Sequence, residues 1–212
     1  MRVMEIFPSL QGEGVWAGTP MTFVRLAGCN APEEGLACVE WCDTRESWAG
    51  FSDVGAAELS SEQVARQVDL PRVCFTGGEP LLQAVEVDQA VRLLASRGTL
   101  AHVETNGTIA PFAEGDGEQP IPFTWSTVSP KPPQYVVAEG WEGLVDELKF
   151  VVDEGFSGDA ALELERRFPG AAVCLQPEAG GGHGAVQRTL DLVQGHPRWR
   201  LSLQIHKILG LP

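Results

Sequence analysis

Three of the chain's five cysteines, Cys29, Cys38 and Cys42, fall within the single stretch RLAGCNAPEEGLACVEWCDT, Arg25–Thr44. The number constrains the chemistry. Disulfides use thiols in pairs. A structural zinc ion takes four Cys or His ligands in short paired spacings, whereas here the pattern is Cys-x8-Cys-x3-Cys with no histidine nearby. A cuboidal iron–sulfur cluster takes one thiolate per iron. Three thiolates would leave its fourth iron open to a ligand from outside the chain. Spacing alone also leaves open a chance gathering of thiols in a loop. The other two, Cys74 and Cys174, sit inside apolar runs and read as core.

The segments that must position these groups alternate between two kinds. Val3–Phe7, Met21–Gly28, Arg72–Gly78, Leu100–Thr105, Phe123–Ser129, Glu147–Val152, Ala171–Pro177 and Arg200–Gln204 read as strands, several of them near-continuous apolar runs of the sort buried in parallel sheets. Between them lie helical patterns. SSEQVARQV opens with Ser60 and places Gln63 three residues on, a capping box. LLQAVEVDQAVRLLASRG ends at Gly98, a C-cap signal. GDAALELERRF and GAVQRTLDLVQG are the other two. Strand–helix alternation predicts an α/β fold, an open or partial barrel. Four strand ends carry polar corners: TGGEP, ETNGT, SPK and QPEAGGG. Ligands bind beyond the carboxyl ends of parallel strands, so four such corners predict one site. The acidic stretch AEGDGEQP, 113–120, reads as a solvated loop.

Composition narrows the class. The 212 residues suit one domain spanning 1–212. The longest apolar runs fall short of the ~20 residues of a membrane span. No apolar leader opens the sequence, which predicts a cytoplasmic protein with reduced thiols. A net charge of −14 argues against a nucleic-acid surface.

Read in order, EIFPSLQGEG, RLAGCN, WCDT, TGGEPLLQ, ETNGT, SPK, ELKFVV, LQP and RLSLQIHKILGLP closely resemble the 7-carboxy-7-deazaguanine synthase family of radical S-adenosylmethionine enzymes, over Glu5–Pro212. GGEP alone suggests only the superfamily, in which an aromatic residue such as Trp41 often precedes the last cysteine. LQGEG with CDT and HKILGLP points to this member. The resemblance implies a partial, trimmed TIM-like (β/α) barrel of the radical S-adenosylmethionine type, acting as a carbon–nitrogen lyase on a precursor of queuosine. The substrate would be 6-carboxy-5,6,7,8-tetrahydropterin. A 5′-deoxyadenosyl radical would take hydrogen from C6, after which the ring contracts and loses ammonia. The cofactor carries the radical chemistry, and the protein positions it.

By that resemblance Cys29, Cys38 and Cys42 hold a 4Fe-4S cluster and Thr44 meets Mg²⁺, an ion that often keeps waters and borrows substrate oxygens. Gly78, Ser129, Lys131 and Gln176 line the S-adenosylmethionine site, with Gly78 giving close backbone approach; Glu104 is a candidate for the ribose, or a surface glutamate. Leu10, Gln11, Gly12, Arg25, Thr76 and Pro212 contact substrate, and His206 lies near the site. The Arg25 fork matches a carboxylate bidentately; without the resemblance it reads as a surface ion pair. No side chain is assigned as a catalytic acid or base. A flavodoxin-like electron donor and a homodimer complete the partners.

Three departures from the family pattern stand out: the x8-x3 cysteine spacing in place of the superfamily's x3-x2, QIHK where QTHK is expected, and the glycine run after Gln176. The apolar end KILGLP predicts a packed terminus whose carboxylate binds the substrate's amidine edge, or else a segment that merely closes the barrel. Two rival functions remain at this point: another radical S-adenosylmethionine enzyme, such as an activating enzyme for a glycyl radical protein, and a non-catalytic module with zinc on three cysteines and a distant histidine.

Overall fold

A computed structural model describes residues 1–48, 55–113 and 119–212. Its centre is a nine-stranded sheet in the order β3-β1-β2-β4-β5-β6-β7-β8-β9. The strands are β1 (Arg2–Leu10), β2 (Pro20–Leu26), β3 (Ala57–Glu58), β4 (Arg72–Gly77), β5 (Leu100–Thr105), β6 (Trp125–Val128), β7 (Glu147–Val152), β8 (Ala172–Pro177) and β9 (Arg200–Leu201). β1 runs antiparallel to β2 and β3; every pairing from β2 through to β9 is parallel. The sheet does not close, so the fold is a partial barrel. Its helices are α1 (Ser61–Arg66), α2 (Ala84–Ala95), α3 (Asp159–Arg167), α4 (Gly182–Gly195) and α5 (Ile205–Leu209). Among the described residues the β5–β6 and β6–β7 crossovers carry no α-helix, which is where the barrel is trimmed.

Successive residues of a strand face opposite sides of a sheet, and here the two faces differ in chemistry. In β7, Leu148, Phe150 and Val152 join Val73 and Phe75 of β4 and Val173 and Leu175 of β8 in one apolar core. Val64 of α1, Val87, Val91 and Leu94 of α2, Leu164 of α3 and Leu192 of α4 cover that face. The alternate positions point into the barrel: Arg25, Thr76, Glu104, Thr127, Glu147, Lys149 and Gln176. Reading several of these strands as near-continuous apolar runs was therefore too coarse, because their inward positions carry Thr76, Glu147, Lys149 and Gln176. The concave face is polar toward the carboxyl ends of the strands, while Met21, Phe23 and Cys74 form a small apolar cluster with Phe7 and Trp16 on the same side.

The capping box at α1 forms: Ser60 Oγ accepts from the Gln63 amide and Gln63 Oε1 accepts from the Ser60 amide. Gly98 follows α2 in the left-handed region at φ 78°. The last predicted strand stops early. After Leu201 the chain turns inward, with the Ser202 amide donating to the Leu175 carbonyl at 2.8 Å, and then forms α5, which the sequence pattern did not predict. The two-residue β3 was missed as well. Phe112 and Pro120 bridge across the acidic 113–120 stretch, of which 114–118 lie outside the described residues. The terminal segment is not packed into the core: Ile208 is 71% and Leu209 61% exposed. A helix of five residues seated on a polar rim has no apolar face to bury against. Hydrogen bonds hold it instead, from the Ile205 amide to the Gly12 carbonyl at 3.0 Å and from Ser9 Oγ to the Pro212 carbonyl at 3.2 Å. Among the described residues no helix is long and apolar enough to cross a membrane.

Candidate active site

The carboxyl ends of β2, β4, β5, β6 and β8 surround a cavity of about 480 Å³. Every residue singled out above for cluster, metal, cofactor or substrate lines it, and so do Glu104 and His206. Cys74 and Cys174 do not. They lie buried in the sheet, and burial raises both thiols, that of Cys174 to about 12.

One wall is the cysteine loop. Cys38 is buried with Ala31 and Leu36, and Cys29, Val39 and Trp41 pack on that small core, so the x8 segment folds as a unit. Neighbouring corners fix the loop. The Glu79 amide donates to the Gly28 carbonyl at 2.8 Å, and the Ala37 amide to the Pro132 carbonyl at 2.9 Å. Asn106 Nδ2 donates to Asn30 Oδ1 at 2.9 Å, while Asn30 Nδ2 donates to Thr108 Oγ1 at 2.8 Å. Glu79, fully buried, accepts from Thr105 Oγ1, from the Asn106 amide and from the Leu81 amide, which ties the ends of β4 and β5 together. Gly78 has a reason of its own to be glycine: a Cβ there would lie 1.9 Å from the Gly28 carbonyl oxygen and 3.2 Å from Cys29 Cβ. TGGEP is thus pressed directly against the first cysteine.

The donor set suits an iron–sulfur cluster. Three soft thiols share one cavity wall and sense one another electrostatically. Burial, with neighbouring Glu79, Cys38 and Cys42 adding to it, pushes Cys29 up to about 11. Burial also raises Cys38, against the pull of the Lys131 ammonium. Such thiols stay protonated until a cation compensates them. Among the described residues no three Cys, His, Asp or Glu side chains gather closely enough to hold one metal ion. Lys131 is half-buried, its ammonium donating to Ser129 Oγ at 2.6 Å and lying 5.9 Å from the centre of the Trp41 ring. Thr44 Oγ1 is 3.5 Å from Cys42 Sγ, and Asp43 between them is ion-paired with Lys207 of α5.

The facing wall is a charged network that the sequence reading did not assemble. Lys149 projects from β7 with its side chain 9% exposed. Its ammonium donates to Glu13 Oε2 and lies 3.8 Å from Glu104 Oε1. Glu104 accepts from Gln11 Nε2 at 3.0 Å and from Thr76 Oγ1 at 2.8 Å. Glu13 also accepts from Gln204 Nε2 at 2.8 Å and Gln176 Nε2 at 3.2 Å. Burial works against the Lys149 charge, but Glu104 and Glu13 outweigh it and hold the ammonium above the usual lysine range. Burial opposes Glu13 in the same way; Lys149 overrides it and keeps the carboxyl below its ordinary value. The missed signal was charged residues at alternate positions of strands otherwise built for a core, Glu147 and Lys149 in ELKFVV and Glu104 in HVET.

Gln176 is committed at both ends of its amide, to Glu13 and, through Ser202 Oγ at 3.0 Å, to the tail. Glu104 is joined to Gln11 and Thr76 and not to the cysteine loop. Arg25 reaches the cavity rim with Nε 2.6 Å from Glu5 Oε1 and its guanidinium 5.6 Å from the Phe7 ring centre. The His206 ring packs over Gly12, where an added Cβ would meet Nδ1 at 1.8 Å.

No protein-family profile matches the chain. Among curated proteins it is 33% identical over 211 residues to the 7-carboxy-7-deazaguanine synthase of Synechocystis sp., covering 99% of this chain and 92% of that relative. It is 37% identical over 229 residues to the 7-carboxy-7-deazaguanine synthase of Bordetella pertussis, covering 99% and 98% respectively. Among solved structures the crystal structure of QueE from Escherichia coli superposes with a TM-score of 0.75 at 28% identity, over 96% of this chain and 93% of that one.

Proposed function

Because this chain belongs to the 7-carboxy-7-deazaguanine synthase family, lyases of the radical S-adenosylmethionine type, we propose that its cavity converts 6-carboxy-5,6,7,8-tetrahydropterin to 7-carboxy-7-deazaguanine with loss of ammonia. The observation that carries this reading is the convergence of two unlike walls on one space: three thiols on one side, a fixed set of hydrogen-bond acceptors and an arginine on the other. Cys29, Cys38 and Cys42 would hold the 4Fe-4S cluster; Ser129, Lys131 and the Gly78 backbone would hold S-adenosylmethionine beside it. When bound, cluster and cofactor supply the one-electron chemistry that begins the ring contraction. Everything else falls to the chain's own residues. Leu10, Gln11, Gly12, Thr76 and Pro212 would frame the heterocycle. Glu104, which accepts from Gln11 and Thr76, would support them from behind in place of a ribose contact. Arg25 would exchange or share its Glu5 contact for the substrate carboxylate, a better match for its fork. The Thr44 hydroxyl, next to Cys42, would be one ligand of a Mg²⁺ completed by water and substrate oxygens. Gln176, assigned above to the cofactor, would act through Glu13.

The chain acts as a single domain in this reading. Exposed Leu201, Leu203, Ile208 and Leu209 support the expected homodimer. Five free cysteines support a reducing, cytoplasmic setting, and the charge of −14 speaks against nucleic acid. The electron for the cluster would come from a flavodoxin-like donor, which rests on the resemblance alone. Equilibrium binding tests the reading. Cluster-loaded protein with S-adenosylmethionine should bind the carboxy-tetrahydropterin and discriminate against the same pterin without its carboxylate. Equal affinity for both, or for neither, would sink it.

A further inference from the structure

We infer that Lys149 is the positioning residue of the substrate wall: its buried ammonium, set between Glu13 and Glu104, fixes both carboxylates as acceptors and so holds Gln11, Thr76 and Gln176 in place along the ligand cavity. This rests on the reading of that wall as the substrate site. The geometry is asymmetric in a useful way. Glu104 accepts hydrogen bonds from Gln11 Nε2 and Thr76 Oγ1, both cavity-lining. That orientation leaves the Gln11 carbonyl oxygen to accept from the Glu13 amide at 3.1 Å, which holds the QGEG turn. Glu13 receives from Gln176 and Gln204, and Gln204 in turn reaches Asp43 Oδ2 at 3.2 Å. One cation therefore sets the donor–acceptor sense of hydrogen bonds on four strands or loops. An amide whose acceptor becomes a donor must rotate, which also breaks the bond its other end makes and shifts the cavity wall it belongs to.

What opposes the two carboxylates is easily enumerated. Glu147 lies one inward position away on β7, with Cys74 on β4 and His102 on β5 beneath. Lys131 follows β6, and His206 faces Glu13 from α5. Asp43 and Lys207 compensate each other at the rim. Lys149 is the only one of these that touches both glutamates among the described residues. Without it two partly buried like charges share the wall, and one of them takes up a proton at a higher pH than before. In the intact network the Glu13 carboxyl is held below its ordinary value against burial, with Lys149 as the cation responsible.

The test is the pH dependence of substrate binding in cluster-loaded protein containing S-adenosylmethionine. Wild-type affinity should be flat between about pH 6 and 9, since Lys149 holds the Glu13 carboxyl below its ordinary value. Lys149→Met should weaken binding at least about tenfold at neutral pH, and affinity should recover as pH rises through the new, raised carboxyl pKa, by up to about tenfold per unit. Lys149→Gln repeats the measurement should the Met variant not fold. Lys149→Arg keeps the charge and should keep the flat profile. A loss in Lys149→Met that is the same at every pH, or no loss at all, overturns the inference, because a side chain that merely packs has no proton to exchange. So does a pH-dependent loss in Lys149→Arg. A second readout needs no substrate: in wild type labelled with ¹³C at the glutamate carboxyls, Glu13 and Glu104, assigned by their Gln variants, should both appear ionised near neutral pH. A protonated signal from either overturns the inference, whereas failure of wild type to bind the pterin while both stay ionised counts against the proposed substrate alone.

Discussion

Gly78→Ala probes how the cluster loop is held. The added Cβ would stand 1.9 Å from the Gly28 carbonyl oxygen and 3.2 Å from Cys29 Cβ. The nearer neighbour is backbone, so no rotamer change relieves the contact, and one segment must retreat by more than about 1 Å to reach ordinary packing distance. Neither is free to do so: the Gly78 amide is bonded to the Leu26 carbonyl at 3.0 Å and the Glu79 amide to the Gly28 carbonyl at 2.8 Å. Overpacking of this kind costs about 1–3 kcal/mol, and an unyielding backbone places it at the upper end. For a chain of this size about 3 kcal/mol lowers Tm by about 6–12 °C. Calorimetry on the cluster-free protein should show that drop, and iron content after anaerobic reconstitution should fall with it, because the displaced segment carries Cys29. Gly98→Ala is the control: its φ of 78° is strained for alanine, but nothing lies within 4 Å, so about 1 kcal/mol is lost and iron binding is not. If cluster-free Gly78→Ala melts with wild type and only cofactor binding suffers, then Gly78 is glycine for the ligand's sake and the steric reasoning is wrong.

Ala substitution of Cys29, Cys38 or Cys42 should each abolish iron retention, while Cys74→Ala and Cys174→Ala should keep the iron and cost about 1 kcal/mol of packing; full iron in Cys38→Ala would remove the second ligand from the scheme. Arg25→Lys should weaken substrate at least about tenfold with S-adenosylmethionine binding unchanged, since an ammonium cannot copy the bidentate fork. Thr44→Val should blunt the response of turnover to Mg²⁺ with the cluster intact, and a wild-type rate indifferent to chelation of divalent ions would refute that ligand. His102, buried under Trp16 at a ring separation of 5.1 Å, has its pKa lowered to about 4 by burial and then by the Arg72 charge. The depressed value means that stability is full above the unfolded pKa near 6.5 and drains as pH falls toward about 4, by about 3 kcal/mol; urea midpoints should show this, and His102→Gln should flatten it.

Much of this architecture was written in short patterns. Polar corners after β4, β5, β6 and β8 marked the mouth of the barrel because strand ends and helix starts need the same residues that ligands use. Ser60 and Gln63 announced α1 because both orphan amides are satisfied locally. What escaped was non-local. Lys149 alone in ELKFVV reads as a solvated lysine or a strand-edge gatekeeper; only the sheet brings it to Glu13, 136 residues away in sequence. Arg25 shows no sign in sequence of its Glu5 partner, which the antiparallel register of β1 and β2 supplies. Gly78 reads as a point of close backbone approach to a cofactor, but its neighbour is the first cysteine's own loop, which no local pattern reveals. The tail misled because apolar composition predicts burial, whereas α5 is tethered by backbone hydrogen bonds and leaves Ile208 and Leu209 outside.

The central claim is that the two walls of this cavity act together on a carboxylated tetrahydropterin. The most direct measurement is anaerobic turnover of 6-carboxy-5,6,7,8-tetrahydropterin by cluster-loaded protein with S-adenosylmethionine and a reductant, quantifying product and ammonia together. The account predicts 7-carboxy-7-deazaguanine and ammonia in equal amounts, with none formed by Cys29→Ala. Fully loaded protein that cleaves S-adenosylmethionine yet leaves the pterin unchanged would contradict it.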